Sequence, residues 1–147
     1  MTSIAESVAD ILEIGEYGLF PLMSAVERGL PLSALDRVIH SVAPTDTSFA
    51  FNIVPRATLA RRRKALAAKD REKGRLSAEE STRLARLAEV WAMALDVWGG
   101  EKAARRFMFE EHQLLHGRRP VDVVLENEFG RPIVEGILGR LKYGTAV

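Results

Sequence analysis

The chain is 147 residues long, carries a formal net charge of +1, and is 47% apolar and 28% charged, with no cysteine. That balance suits one ordinary folded domain or two small ones rather than a disordered chain, and the missing thiols exclude a disulfide framework, a thiolate nucleophile and a sulfur-ligated zinc site. No apolar run approaches the roughly eighteen residues of a membrane span, and residues 1–14 hold three acids and no basic n-region, so a soluble, cytoplasmic protein without a signal peptide is expected.

Ile4, Val8, Ile11 and Leu12 share one helical face, which predicts a first helix interrupted at Gly15 and Gly18. A second helix is predicted from Pro21 to the stop at Gly29, and Pro31 with Ser33 opens a third. Ser33 and Asp36 have the spacing of a capping box, and Leu35, Val38, Ile39 and Val42 continue the apolar face up to Pro44. Residues 44–55 offer no partner for a strand and read as a short helix and turn buried under their neighbours. The next helix, residues 56–68, carries Leu59 and Leu66 seven apart with arginines on most of the rest, and a charged connection containing Gly74 follows.

Ser77 with Glu80 is a second capping box, worth about 1 kcal/mol to the helix it starts. That helix is the longest. Leu84, Leu87, Ala88, Trp91, Leu95 and Trp98 line one stripe, which Val90, Met93 and Val97 widen beyond the seam one neighbour needs, so it is central or shared across a dimer. Gly99-Gly100 ends it, a short helix covers 101–109, and Pro120 opens another through Leu125. In the final segment Val134, Ile137, Leu138 and Leu141 fall on one face of an amphipathic helix that stops at Tyr143-Gly144, leaving the tail Thr145-Ala146-Val147 free for another use. The fold class is all-α.

Charge is unevenly spread. Residues 1–54 hold seven acids against two arginines, whereas residues 55–75 hold nine basic residues against two acids. Arg56, Thr58, Arg61, Arg62, Arg63 and Lys64, in the first half of a helix, suit a DNA groove, because both cationic types neutralise phosphates and arginine reads guanine edges. The same run also fits a solvated charged face. Four consecutive cations point around most of a helix, so at least one is expected to pair with the acidic N-terminal half or with a symmetry mate.

Other chemistry finds little support. His112 and His116, four apart, supply two imidazoles without a third ligand at useful spacing, and no metal site is expected. His40 reads as a polar face residue. No phosphate loop, nucleophile elbow or paired carboxylates are evident, so neither an enzyme nor a cofactor is expected, and Trp91 and Trp98 are more economically core than base-stacking platforms. In the loop 117–120, Gly117 ends one helix and Pro120 begins the next, while Arg118 and Arg119 form a basic edge suited to acidic groups of a partner.

Gly117-Arg118-Arg119-Pro120-Val121-Asp122, Glu128-Phe129-Gly130, and Val134 with Leu138-Gly139-Arg140-Leu141 and Gly144 resemble the toxin-binding domain of the Xre/MbcA/ParS antitoxins. Val54 to Arg62, Leu76-Ser77 with Glu79-Glu80-Ser81, and Arg83-Leu84 with Arg86-Leu87-Ala88 look like the same family's helix-turn-helix region. The resemblance implies residues 1–98 as a helix-turn-helix-like DNA-binding and dimerisation region and 99–147 as a toxin-binding domain. It implies an antitoxin that binds a RES-domain toxin and blocks its NAD pocket with the last helix and tail, in a complex containing a homodimer that also represses from operator DNA. The implied toxin-binding set is Arg118, Arg119, Arg131, Val134, Ile137, Leu138, Arg140, Leu141, Lys142, Tyr143 and Gly144. Departures from the family pattern are a longer connection over 64–76, Ala57 where arginine is frequent, and no proline within Glu110-Glu111-His112-Gln113. The alternatives are a free-standing helix-turn-helix regulator and a helical adaptor that binds protein but no DNA.

Overall fold

Side-chain caps, proline and glycine set most helix ends in the computed structural model, which describes residues 3–144. α1 (Ile4–Ile11) starts at a capping box in which Glu6 N donates to Ser3 Oγ at 3.1 Å and Ser3 N to Glu6 Oε2 at 2.8 Å. α2 (Leu19–Arg28) begins two residues before the predicted Pro21. The proline is tolerated there because N–H groups of the first turn have no intrahelical acceptor to lose. α2 closes at Gly29, where φ is +97° and an added Cβ would lie 2.3 Å from the Leu76 carbonyl oxygen, so glycine is required on both counts.

α3 (Leu32–Val42) follows Pro31 with no side-chain cap. The capping box predicted at Ser33 and Asp36 does not form, because the helix starts at Leu32 and Ser33 already lies inside its first turn; the Asp36 carboxylate accepts from the two Nη nitrogens of Arg63, at 2.7 and 3.2 Å. The 44–55 stretch contains a 3-10 helix (Thr47–Asn52) capped by Asp46, with Phe49, Ile53 and Val54 buried. α4 (Arg56–Ala67) and α5 (Ala78–Trp98) follow, and the box at the start of α5 is present: Ser77 N to Glu80 Oε1 at 2.8 Å and Glu80 N to Ser77 Oγ at 3.1 Å. α6 (Glu101–Phe109), α7 (Pro120–Glu126) and α8 (Gly130–Tyr143) complete the chain, and α8 ends on Gly144 at φ +69°, the left-handed C-cap that glycine favours. Among the described residues there is no strand, and no helix is long and apolar enough to cross a membrane.

Contacts divide the chain within α5, into a unit running to Ala85 and a unit starting at Arg86; Gly99-Gly100, the predicted boundary, marks only the end of that helix. In the first unit α1 packs on α3, and Leu12, Leu32, Leu35, Val38, Val42, Phe49 and Leu59 are buried. Two polar ties hold the segment after α2: Leu76 N donates to Leu30 O at 2.9 Å, and Leu30 N donates to the buried Ser81 hydroxyl at 2.9 Å.

The second unit packs α6 on α7 and α7 on α8, with Trp91, Met108, Leu115, Val121, Val124, Val134 and Leu138 buried. At the α7–α8 crossing an added Cβ on Gly130 would lie 1.8 Å from the Val123 carbonyl oxygen, which explains the glycine in Glu128-Phe129-Gly130. Buried Arg86 donates to the carbonyls of Val124 and Leu125 at 3.1 and 3.3 Å, satisfying acceptors that the last turn of α7 leaves open and placing positive charge at its negative end.

Candidate partner-binding surfaces

The predicted inward face of α8 is core. Val134 and Leu138 are fully buried and Ile137 nearly so, so these three side chains hold the helix and offer no surface to a partner. This corrects a direct apolar contact by Val134 and Ile137. Leu141 differs: it is 39% exposed and borders a cleft with Trp98 and Phe107. Ion pairs tie α8 to α5 at both ends, Arg131 Nη1 to Glu89 at 2.8 Å and Lys142 Nζ to Asp96 at 2.7 Å. The hydrogen bond from Lys142 to Asp96 raises the lysine pKa. Glu135, 3.6 Å from Arg131, is pushed up by burial and by neighbouring Glu89, with Arg131 partly opposing the shift.

The outward face of α8 joins Arg140 and Tyr143, which the resemblance implied, to Phe129, Ile133 and Gly136, which the sequence reading missed. Phe129, Ile133, Gly136, Arg140 and Tyr143 recur at alternating four- and three-residue steps and therefore form one stripe. Phe129, Ile133 and Tyr143 are 73%, 51% and 77% exposed. Nothing lies within 4 Å of a Cβ built on Gly136, so the middle of the stripe is flat backbone open to close approach. Arg140 is exposed and has no ion-pair partner among the described residues. A helix that is apolar on two faces needs two neighbours, and that second period was the available signal. The tail Thr145-Ala146-Val147, expected to serve a partner, lies outside the described residues.

Arg118 and Arg119 do not form a bare cationic edge. Arg118 pairs with Glu126 at 2.8 Å, and Arg119 pairs with Asp122 through two bonds of 2.7 and 3.0 Å while its guanidinium lies 5.6 Å from the Phe109 ring centroid. Both pairs are solvent-exposed, hence weak enough to be exchanged for a partner's carboxylates.

On α4 the predicted DNA-contacting set splits. Arg62 turns inward: its side chain is 18% exposed, Nη2 pairs with Glu80 at 2.9 Å, and Nη1 donates to the Arg75 carbonyl at 2.6 Å. Arg63 is held by Asp36, which further raises its pKa, so pairing with the acidic N-terminal half occurs as expected. Arg62 leaves the candidate DNA face, because its charge is spent inside the fold, whereas the Arg63–Asp36 pair is solvent-exposed and as exchangeable as those of Arg118 and Arg119. Arg56, Arg61 and Lys64 are exposed, with Arg56 4.4 Å over the Phe51 ring, and Thr58 is half-buried. Arg61 and Lys64, three apart, share a face that exposed Ala57 and Ala60 leave unobstructed. Residues 43–55 between α3 and α4 are longer than the about 3–4-residue turn of a tight helix-turn-helix, and the 3-10 helix fills the difference.

His112 and His116 are not on a common helix. His112 Nδ1 accepts from Leu114 N at 3.1 Å, and His116 adopts a left-handed conformation with φ +56°. No group of three potential metal ligands occurs among the described residues.

Comparison with known proteins bears on both surfaces. Residues 93–144 match the model described as the antitoxin Xre/MbcA/ParS C-terminal toxin-binding domain, a span that contains all of α8. Residues 21–89 match the antitoxin Xre-like helix-turn-helix domain, a span that contains α4. The chain is 28% identical over 125 residues to a Yersinia enterocolitica protein named Antitoxin Xre, covering 84% of this chain and 80% of that relative.

Proposed function

The chain belongs to the Xre/MbcA/ParS antitoxins, with a helix-turn-helix region followed by a toxin-binding domain, and we propose that it neutralises a RES-domain toxin by laying the outward face of α8 over the toxin's NAD pocket. The observation that carries this reading is the exposed stripe Phe129, Ile133, Gly136, Arg140 and Tyr143 on a helix fixed from behind by Val134, Ile137 and Leu138. A rigid helix presenting apolar anchors loses little entropy on docking. Phe129 and Ile133 supply contact area, the open backbone at Gly136 permits close approach, and Arg140 with Tyr143 and Gly144 reaches the space the dinucleotide needs. A guanidinium there pairs with acidic groups of the pocket that would otherwise handle substrate. Arg118 and Arg119 form a rim of exchangeable ion pairs, while Arg131 and Lys142 hold α8 against α5. Deleting residues 142–147 together with Ile133→Glu is expected to leave a folded chain that no longer protects cells from the toxin encoded beside it. Full protection by that variant refutes occlusion by α8.

Operator binding is the second activity of this reading. Arg56, Arg61 and Lys64 give one chain only a few phosphate contacts, and each contributes about −0.9 to the salt slope of binding, so a dimer is needed for useful affinity. Tyr17, Leu19, Phe20 and Met23, all at least half-exposed within α2 and its approach, supply the apolar surface for a second copy. Phe20→Glu is then expected to give a monomer by sedimentation velocity with weakened operator binding; an unchanged dimer removes α2 from the interface. Both activities belong in the cytoplasm.

A further inference from the structure

We propose that the cleft bordered by α6 and the last turns of α8 is an anchor site for one arginine or lysine side chain of the toxin, an inference that rests on the toxin-binding role of α8 given above. The cleft measures about 300 Å³, the low end of the roughly 300–1,000 Å³ spanned by small-molecule pockets, so it suits a side chain better than a dinucleotide. Trp98, Phe107 and Leu141 make its apolar lining. The Trp98 and Phe107 ring centroids are 6.0 Å apart and tilted by 36°. Trp98 and Leu141 remain 42% and 39% exposed, an apolar surface with no cover among the described residues.

The mouth is electronegative. Glu110, Glu111 and Arg106 line it, and Arg106 Nε reaches Glu110 only at 3.8 Å, leaving exposed Glu111 without an ion-pair partner among the described residues. Two carboxylates facing one guanidinium repel phosphates and carboxylates and favour a cation. An aromatic lining below such a mouth fits a long methylene stem with a charged head: the stem covers Trp98 and Leu141, and the head meets Glu111 and the electron-rich indole face. Leu141 lies one residue after Arg140, about 100° around the helix, so the cleft flanks the outward stripe, and every lining residue lies inside the segment matched by the toxin-binding domain.

The test uses the full chain co-purified with the toxin encoded beside it, comparing Kd for wild type, Ile133→Glu, Glu111→Arg and Trp98→Leu. Glu111 is exposed and outside the core, so its reversal does not threaten folding; circular dichroism checks this. Glu111→Arg is expected to weaken the complex by about tenfold or more, Trp98→Leu to weaken it less, and one toxin Arg→Glu or Lys→Glu change to restore the Glu111→Arg complex. If Ile133→Glu weakens binding while Glu111→Arg and Trp98→Leu leave it unchanged, the anchor site is wrong and the role of α8 survives. Weakening by Glu111→Arg that no toxin cation reversal rescues also overturns it. If none of the three variants alters Kd, the α8 reading fails along with the cleft.

Discussion

Arg62 and Arg61 are adjacent cations on one helix, yet their alanine variants should separate stability from DNA affinity. Arg62→Ala removes an ion pair to a carboxylate that is 8% exposed and a 2.6 Å charge-assisted bond to the Arg75 carbonyl. Breaking a buried pair costs about 3–5 kcal/mol. Two observations lower that figure here: the guanidinium is 18% exposed, and its Nε makes no hydrogen bond among the described residues. Glu80 also keeps its bond from Ser77 N. We therefore expect a loss of about 2–3 kcal/mol in urea unfolding of Arg62→Ala, in the unit containing α4. Arg61→Ala, whose exposed side chain has no ion-pair partner among the described residues, should stay within about 0.5 kcal/mol of wild type but flatten the salt dependence of operator binding by about one power of salt concentration per neutralised phosphate. Equal stability of the two variants refutes the inward role of Arg62. A steep salt slope unchanged by Arg61→Ala refutes the DNA face.

Gly130→Ala forces α7 and α8 apart against the Val123 carbonyl oxygen; overpacking of this kind costs about 1–3 kcal/mol, so Tm should fall and toxin binding weaken, whereas Gly136→Ala, mid-helix with open space around it, should raise Tm slightly, by about 0.4–1 kcal/mol of stability. Glu135, raised mainly by burial, binds its proton more tightly folded than unfolded. It therefore contributes stability present below the ordinary carboxylate pKa and lost as pH rises through the raised folded value. Urea titrations should show the stability of Glu135→Gln relative to wild type increasing with pH across that window, and a pH-independent difference would contradict the shift. Ser77→Ala removes one half of the box at the start of α5 and should cost about 1 kcal/mol in the same assay.

What was legible in the chain obeyed local rules. The Ser77–Glu80 box, the stop at Gly99-Gly100, the helix over 101–109 and the left-handed cap at Gly144 each depend on residues within one or two turns, and all occur. The inward stripe of α8 was legible for the same reason, since burial follows a 3.6-residue period. Long-range competition was not legible. The helix start at Leu32 left Asp36 no cap to make, and the guanidinium of Arg63, twenty-seven residues away, binds it through two hydrogen bonds. Arg62 looked like its neighbours until α5 presented a buried carboxylate to it. The outward stripe was hidden because Phe129 and Ile133 read as ordinary apolar residues on a helix whose core face was already assigned; only their exposure separates a second surface from the first.

The most direct test is NAD consumption by the purified toxin in the presence of this chain and of its Ile133→Glu, Tyr143→Ala double variant at equal concentration. Neutralisation by the outward face of α8 predicts that the wild-type chain stops NAD loss and that the folded double variant leaves the toxin active. Inhibition by the double variant as complete as that by wild type would contradict it.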